Sequence, residues 1–310
     1  MLFRSDEPGN WEHGWNVLHV AQRPLPDLAA ARQKLFAARA KRVRPHRDEK
    51  ILTSWNGLMI SAFCHAAQAL DEPAYRQAAA RAAAYILQHH RRDNRLWRTA
   101  TMPAVLDDYA SFATGLLDLY ETTFDPRWLT AARELADQMI ELFHDRAGGG
   151  FFMTDGRDPS VIIRAKEDYD GAEPSGNSVA TLLLLRLAAL TETDRYRAVA
   201  EKTLGTFQVH LTRAPQTVPQ MLCALEFALG KPRQIVIAGA RDAADTAALR
   251  RVVHQSFQPH TVLVLAADGG AFARTLKPVA DKATAYVCEN FACQLPTSDP
   301  AALARQLAPE

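Results

Sequence analysis

Long, nearly all-apolar stretches alternate with amphipathic ones along this chain, and a polar, carboxylate-bearing loop precedes each apolar stretch. The clearest case runs from Asp168 to Leu190 (DYDGAEPSGNSVATLLLLRLAAL). Asp168, Asp170 and Glu173 crowd its start, and Pro174, Ser175, Gly176 and Asn177 open a helix. Proline is tolerated in a first turn, where its missing N–H would lack a partner, and Ser or Asn can accept from the free N–H groups there. Leu182, Leu183, Leu185, Leu187 and Leu190 then cover most of the circumference, the pattern of a helix buried among helices. Residues 44–70 repeat the scheme, with a charged loop and Trp55-Asn56-Gly57 before the apolar helix. Residues 107–120 do so again, with Asp107, Asp108 and Tyr109 in the first turn.

Each buried helix predicts a tight turn and then an amphipathic partner, over 72–90, 125–143 and 194–211. Three hairpins at irregular spacings of roughly 50 to 70 residues result. Long loops lie before each buried helix and tight turns after it, so every polar helix start falls at one end. The expected fold is mainly α: an (α/α) toroid of helical hairpins whose inner helices line the middle and whose long loops form one mouth. A helix over 27–41 with Asp27 as N-cap, and another over 216–229, bring the helices to eight, or four pairs. A closed toroid of this sort uses six, so the expectation is an incomplete (α/α)6 barrel. Gly148 to Gly150 predict a sharp turn, with two short strands over 151–153 and 160–163 projecting over the mouth. Beyond Gly230-Lys231-Pro232 the pattern changes. β-Branched runs at 234–238 and 261–266 flank an Ala- and Arg-rich helix over 243–255, and 285–293 adds a third strand or turn. The chain therefore divides into a toroid over 1–230, truncated at its N-terminus, and a β-α-β subdomain over 231–310 packed on it.

Composition excludes more than it selects. Across 310 residues, 48% are apolar and 23% charged, as in ordinary globular proteins, and the formal net charge is +1. No basic tract interleaves with aromatics, so nucleic acid is not an expected partner. No apolar run reaches the roughly 18 residues needed to span a bilayer, and the first residues lack a secretory apolar core. Four cysteines in so long a chain do not suggest a disulfide framework, and the natural reading is a reduced, cytoplasmic protein. No glycine-rich dinucleotide fingerprint, C-x-x-C pair or convincing metal-ligand spacing appears, so neither a cofactor nor a metal is expected.

The chemistry worth considering lies at the helix starts. If they share one mouth, carboxylates from two hairpins converge, as glycoside cleavage or sugar epimerisation by acid–base chemistry requires. Asp108 and Glu173 are the first candidate catalytic pair, with Asp168 a third. Capping is the competing explanation for helix-start Asp residues, and it leads for Asp107. Trp55, Tyr109 and Trp97 offer flat walls for a sugar ring, against the simpler reading of core aromatics. Arg44, Arg47, Lys50, Arg164 and Lys166 can clamp an anion, or can pair with Asp48, Glu167 and Asp168 to order the loops. Asn56, Ser175 and Asn177 are substrate hydrogen-bonders or caps. Of the histidines considered, only His46 lies in a mouth loop, while His65 lies within an inner helix, where a buried, neutral role is the default.

Four stretches carry a resemblance: RPHRDEKILTSWNGLMISA, the Asp107–Asp108 pair followed by Tyr109, RAKEDYDGAEPSGNSVA, and VCENFACQLP. From Gly9-Asn10-Trp11-Glu12 onward the chain resembles the YyaL-type family of thioredoxin-domain-containing proteins, which includes spermatogenesis-associated protein 20. The resemblance implies a toroid similar to those of six-hairpin glycosidases and N-acylglucosamine 2-epimerases, preceded in the family by a thioredoxin-like domain. That domain and the first toroid helices are not found here, so Met1 reads as an internal start or the head of a split or truncated gene product. Cys288 and Cys293 match the family's closing motif rather than a redox site. The expected function is a six-hairpin glycosidase-like domain of unestablished activity. It would bind or act on a small carbohydrate through Trp55, Asn56, Tyr109, Arg164, Ser175, Asn177, Arg44 and Lys50, as a glycoside hydrolase or an epimerase-like enzyme. The alternative is a non-catalytic scaffold partnering a thioredoxin-like domain.

Overall fold

A computed structural model describes residues 3–4, 8–17, 19–20, 28–230 and 232–308. They form two compact units, 1–49 and 50–310. The first holds the strand pair β1 (Phe3–Arg4) and β2 (His19–Val20) and helix α1 (Ala29–Ala40). Asp27, the expected cap of α1, lies outside the described residues.

The second unit is mainly helical. Its hairpins are α2 (Thr53–Leu70) with α3 (Pro73–His89), then, after the small ribbon β3 (Arg91–Arg92) and β4 (Arg95–Leu96), α4 (Leu106–Thr123) with α5 (Pro126–Phe143). The third pairs α6 (Gly176–Thr191) with α7 (Asp194–Thr206), followed by α8 (Gln208–Arg213) and α9 (Pro219–Leu229). α2, α4, α6 and α9 pack side by side as an inner layer, and α3, α5 and α7 lie against it. This is the helical-hairpin layering of an (α/α) toroid.

The first three inner helices, α2, α4 and α6, end in the same way. Asp71, Phe124 and Glu192 take left-handed conformations with φ of 52°, 57° and 57°, and the outer helix starts two residues later. Pro73 and Pro126 occupy first-turn positions, with Glu72 and Asp125 accepting from the N–H groups of Ala74 and Arg127. Short chain reversals of this kind fix each outer helix antiparallel to its inner partner.

α4 is the most deeply buried of these helices, with Leu106, Phe112, Leu116, Leu117 and Tyr120 shielded from solvent. It approaches α2 backbone to backbone. A Cβ on Gly57 would lie 2.5 Å from the carbonyl carbon of Ser111, and one on Gly115 would lie 2.6 Å from Gly57 O.

After α9 come β5 (Arg233–Ala238), α10 (Ala244–His254), β6 (Thr261–Leu265), β7 (Thr284–Glu289), β8 (Ala292–Cys293) and α11 (Pro300–Leu307). The sheet order is β6-β5-β7-β8, parallel between β5 and β6 and antiparallel elsewhere. β6 is an edge strand, and α4 covers its free groups: Glu121 Oε1 accepts from Leu263 N (3.1 Å) and Tyr120 Oη from Leu265 N (3.2 Å). The expected thiols Cys288 and Cys293 instead face each other across β7 and β8 as a disulfide.

Two local expectations fail for tertiary reasons. Phe151 makes one bridge to His144, and 160–163 form no strand, because Arg164 folds that segment back by donating to Thr154 O and Leu142 O. α2 begins at Thr53, so Trp55, Asn56 and Gly57 sit in its first turn rather than in a loop. Its first N–H groups find remote acceptors, Thr53 N on Arg98 O and Ser54 N on Asp108.

The Gly57–Gly115 approach leaves no room for a side chain. Gly57→Ala or Gly115→Ala is expected to destabilise the fold by about 1–3 kcal/mol despite alanine's better helix propensity, read as a lower denaturant midpoint at an unchanged slope.

Candidate functional site

Three helix starts meet in the second unit. Ser54 N at the start of α2 donates to Asp108 Oδ1 on α4 (3.0 Å). Trp55 Nε1 donates to Glu173 Oε1 in the loop before α6 (2.8 Å). A Cβ on Gly176, the first residue of α6, would collide with Asp107 Oδ1. Only glycine lets these two helix starts come together.

Asp108 is committed to the fold. It is fully buried and also accepts from Val105 N (3.0 Å) and Arg98 Nη1 (3.3 Å). Burial pushes its carboxyl above the ordinary range, opposed by those donors.

Asp107 differs. Its Oδ1 is buried and has no hydrogen-bond partner. Burial, then the charges of Glu167 and Asp108, push its pKa up to about 6, with Arg98 opposing and Glu173 adding a smaller upward push. Glu167 is raised too, by burial and by Asp170, Glu173 and Asp168. Neighbouring carboxylates raise one another's pKa, because a like charge nearby disfavours ionisation.

The remaining predicted residues divide. Glu173 and Trp55 are exposed at this mouth, Trp55 by 55%. Asp168 is exposed and paired with His210 (3.2 Å). Asp170 closes the loop, accepting from Ser175 N and Gln220 N. Asn177 is buried and spans Phe151 N, Phe151 O and Glu167 O, while Ser175 caps α6 through Ser178 N. Asn56 donates to its own Leu52 O. Tyr109 lies in the core, its hydroxyl accepting from Leu96 N and its ring against Phe143. Arg164 braces its loop, with its guanidinium 4.2 Å from the Phe152 ring centroid, and Lys166 pairs with Asp145 (2.7 Å). Lys50 is exposed at the start of the second unit, and Arg44 is exposed in the first. Asp107 and Glu167 are the residues the sequence reading underrated. Adjacent Asp107 and Asp108 look alike in sequence, and only the direction each takes off the helix separates cap from free carboxyl.

The helical hairpins, with the starts of three inner helices meeting at one end, define a domain of the (α/α)-toroid type. The chain belongs to the family of spermatogenesis-associated protein 20. It is 37% identical to the Homo sapiens protein of that name over 344 aligned residues, covering 98% of this chain and 44% of the human protein. It thus spans less than half the length of that relative. No family profile matches the chain. Among solved structures it is similar to the GH76 alpha-mannanase of Bacteroides thetaiotaomicron, with 18% identity and a TM-score of 0.44 over 53% of this chain and 46% of that one. It is also similar to the cellobiose 2-epimerase of Bacillus thermoamylovorans, with 14% identity and a TM-score of 0.43 over the same shares. No helix among the described residues is long and apolar enough to cross a membrane.

The two neighbouring aspartates should respond oppositely to amide substitution. Asp107 has a raised folded-state pKa, so its neutral form stabilises the fold fully below the unfolded value near 4. That contribution is lost as pH rises through about 6. Asp107→Asn is therefore expected to raise stability by on the order of 1–3 kcal/mol at pH 7.5 and by little at pH 4. Asp108→Asn replaces an oxygen with a donor facing Arg98 and backbone N–H groups, and should cost roughly 2–4 kcal/mol at pH 7.5. Urea melts at the two pH values check both.

Proposed function

We propose that the mouth formed by the starts of α2, α4 and α6 binds a small polar ligand, of carbohydrate class, and acts on it by acid–base chemistry. The observation that carries this reading is Asp107, a half-buried carboxyl with an unpartnered oxygen and a pKa pushed up to about 6. A group titrating there holds a proton in a useful fraction near neutral pH and can give it to a departing or ring oxygen. Glu173, exposed at the same mouth, is the complementary carboxylate that takes a proton or steadies positive charge. Trp55, half-exposed and oriented by its bond to Glu173, supplies a flat apolar face on which a sugar ring can stack. In this reading Asp108, placed first by sequence, positions Asp107 rather than reacting, and Asp168 takes no part.

A second reading has its own support. Asp108, Asp170, Ser175 and Asn177 all spend their polar atoms on holding loops and helix starts. A mouth so occupied with its own backbone also suits a scaffold whose partner is a protein, such as a thioredoxin-like domain, in the cytoplasm.

A panel of p-nitrophenyl glycosides and disaccharides, read by turnover and by thermal shift on the full chain, separates the readings. Acid–base action predicts that Asp107→Asn and Glu173→Gln each lower turnover about 100-fold or more while neither lowers the melting temperature. Absence of any sugar-dependent stabilisation or turnover favours the scaffold.

A further inference from the structure

A second cleft lies at the other end of α2, remote from the mouth, and goes beyond the function proposed above. The turn between α2 and α3 and the flank of α10 enclose about 650 Å3, lined in part by Arg76, Arg250 and Arg251. Ala244, Ala247 and Ala248 give α10 a smooth wall there, so the arginine heads are not screened by neighbouring bulk.

The three arginines are not equivalent. Arg251 is matched by Asp71, 2.5 Å away. Arg250 lies largely buried with its guanidinium carbon 5.2 Å from the Phe124 ring centroid. Neither it nor Arg76 makes an ion pair or hydrogen bond with a described residue. Desolvation lowers the pKa of Arg250, and the charge of Arg76 lowers it further, against a weaker pull from Asp242. The other acid at the rim, Glu72, is engaged in capping α3 through Ala74 N.

Burying a guanidinium beside another, without a carboxylate to match, is strongly unfavourable unless an anion arrives. We infer that this cleft is an anion site for a phosphate-bearing small molecule, held between Arg76 and Arg250. A monocarboxylate would neutralise only one of the two heads. A phosphate monoester dianion matches both charges and offers oxygens to two planar forks at once. The space left over accommodates a sugar- or nucleoside-sized body, for which Gln68 and Gln255 supply amide groups at the wall.

Thermal unfolding and phosphorus NMR of the full chain at pH 7.5, comparing inorganic phosphate with chloride at matched ionic strength, test this. Wild-type protein should melt higher in phosphate and broaden the phosphate resonance. Arg76→Gln, at the lip of the cleft, and Arg250→Gln should each weaken the apparent phosphate affinity roughly tenfold or more. Arg76→Gln keeps the test decisive if the Arg250 variant does not fold. Equal melting of the wild type in the two salts, or a phosphate response in Arg76→Gln equal to that of the wild type, overturns the proposal.

Discussion

One buried carboxylate decides how the second unit is put together. Asp108 ties the start of α2 through Ser54 N, the start of its own helix through Val105 N, and the β4–α4 connection through Arg98. Ser54 lies far from Asp108 in sequence and the other two close by, and each contributes a donor that would otherwise lack this partner. A buried polar group is tolerable only when its partners are all present, so these contacts form together or not at all. Asp107 follows from this. With its neighbour fixed toward α2, it is left beside Gly176 and the acidic loop, where nothing pairs its inner oxygen.

The far end of α4 repeats the principle with charge. Arg186 on α6 reaches Asp118 and Glu121 on α4, each at 2.7 Å, and Ser61 on α2 donates to Asp118. Burial alone would raise Asp118, but Arg186 and His65 outweigh it and hold the carboxyl low, whereas burial wins for Glu121 and raises it. Removing any one member would strand a buried charge, so the set is conditional on its own completeness rather than additive in stability. Glu121 then hands the arrangement on to the sheet, because its other oxygen covers the exposed edge of β6. A polar cluster inside the helical layer thus also closes a strand edge that would otherwise be free to pair with another chain.

The apolar and amphipathic periods made the three hairpins legible, since burial on one side or all sides of a helix writes itself into composition. The tight turns were legible too, from Glu72-Pro73 and Asp125-Pro126. What composition did not show is where first-turn N–H groups find partners. Trp55-Asn56-Gly57 reads as a loop only until Thr53 and Ser54 are seen bonded to Arg98 and Asp108. The same limit explains the site. Asp108 and Asp107 carry identical chemistry one residue apart, and helical geometry turns them about 100° from each other, so one meets backbone donors and the other meets carboxylates. Cys288 and Cys293 were read as thiols because cysteine count speaks to a whole chain, whereas the register of β7 against β8 places this pair face to face.

The two ends of the inner helices are built differently. α2, α4 and α6 enter through long loops and leave through two-residue turns that each hold one left-handed residue. Long loops can present side chains from distant parts of the chain to a common space, and that end gathers carboxylates. Tight turns have no slack for building a site by themselves. Arg76 becomes part of a concave surface at that end only because α10 docks beside the first turn and brings Arg250 with it. The sheet that carries α10 therefore does more than shield α4 and α6: it converts a plain hairpin turn into a basic cleft. The acidic mouth and the basic cleft thus lie at opposite ends of α2, and the charge of each follows from which elements close that end.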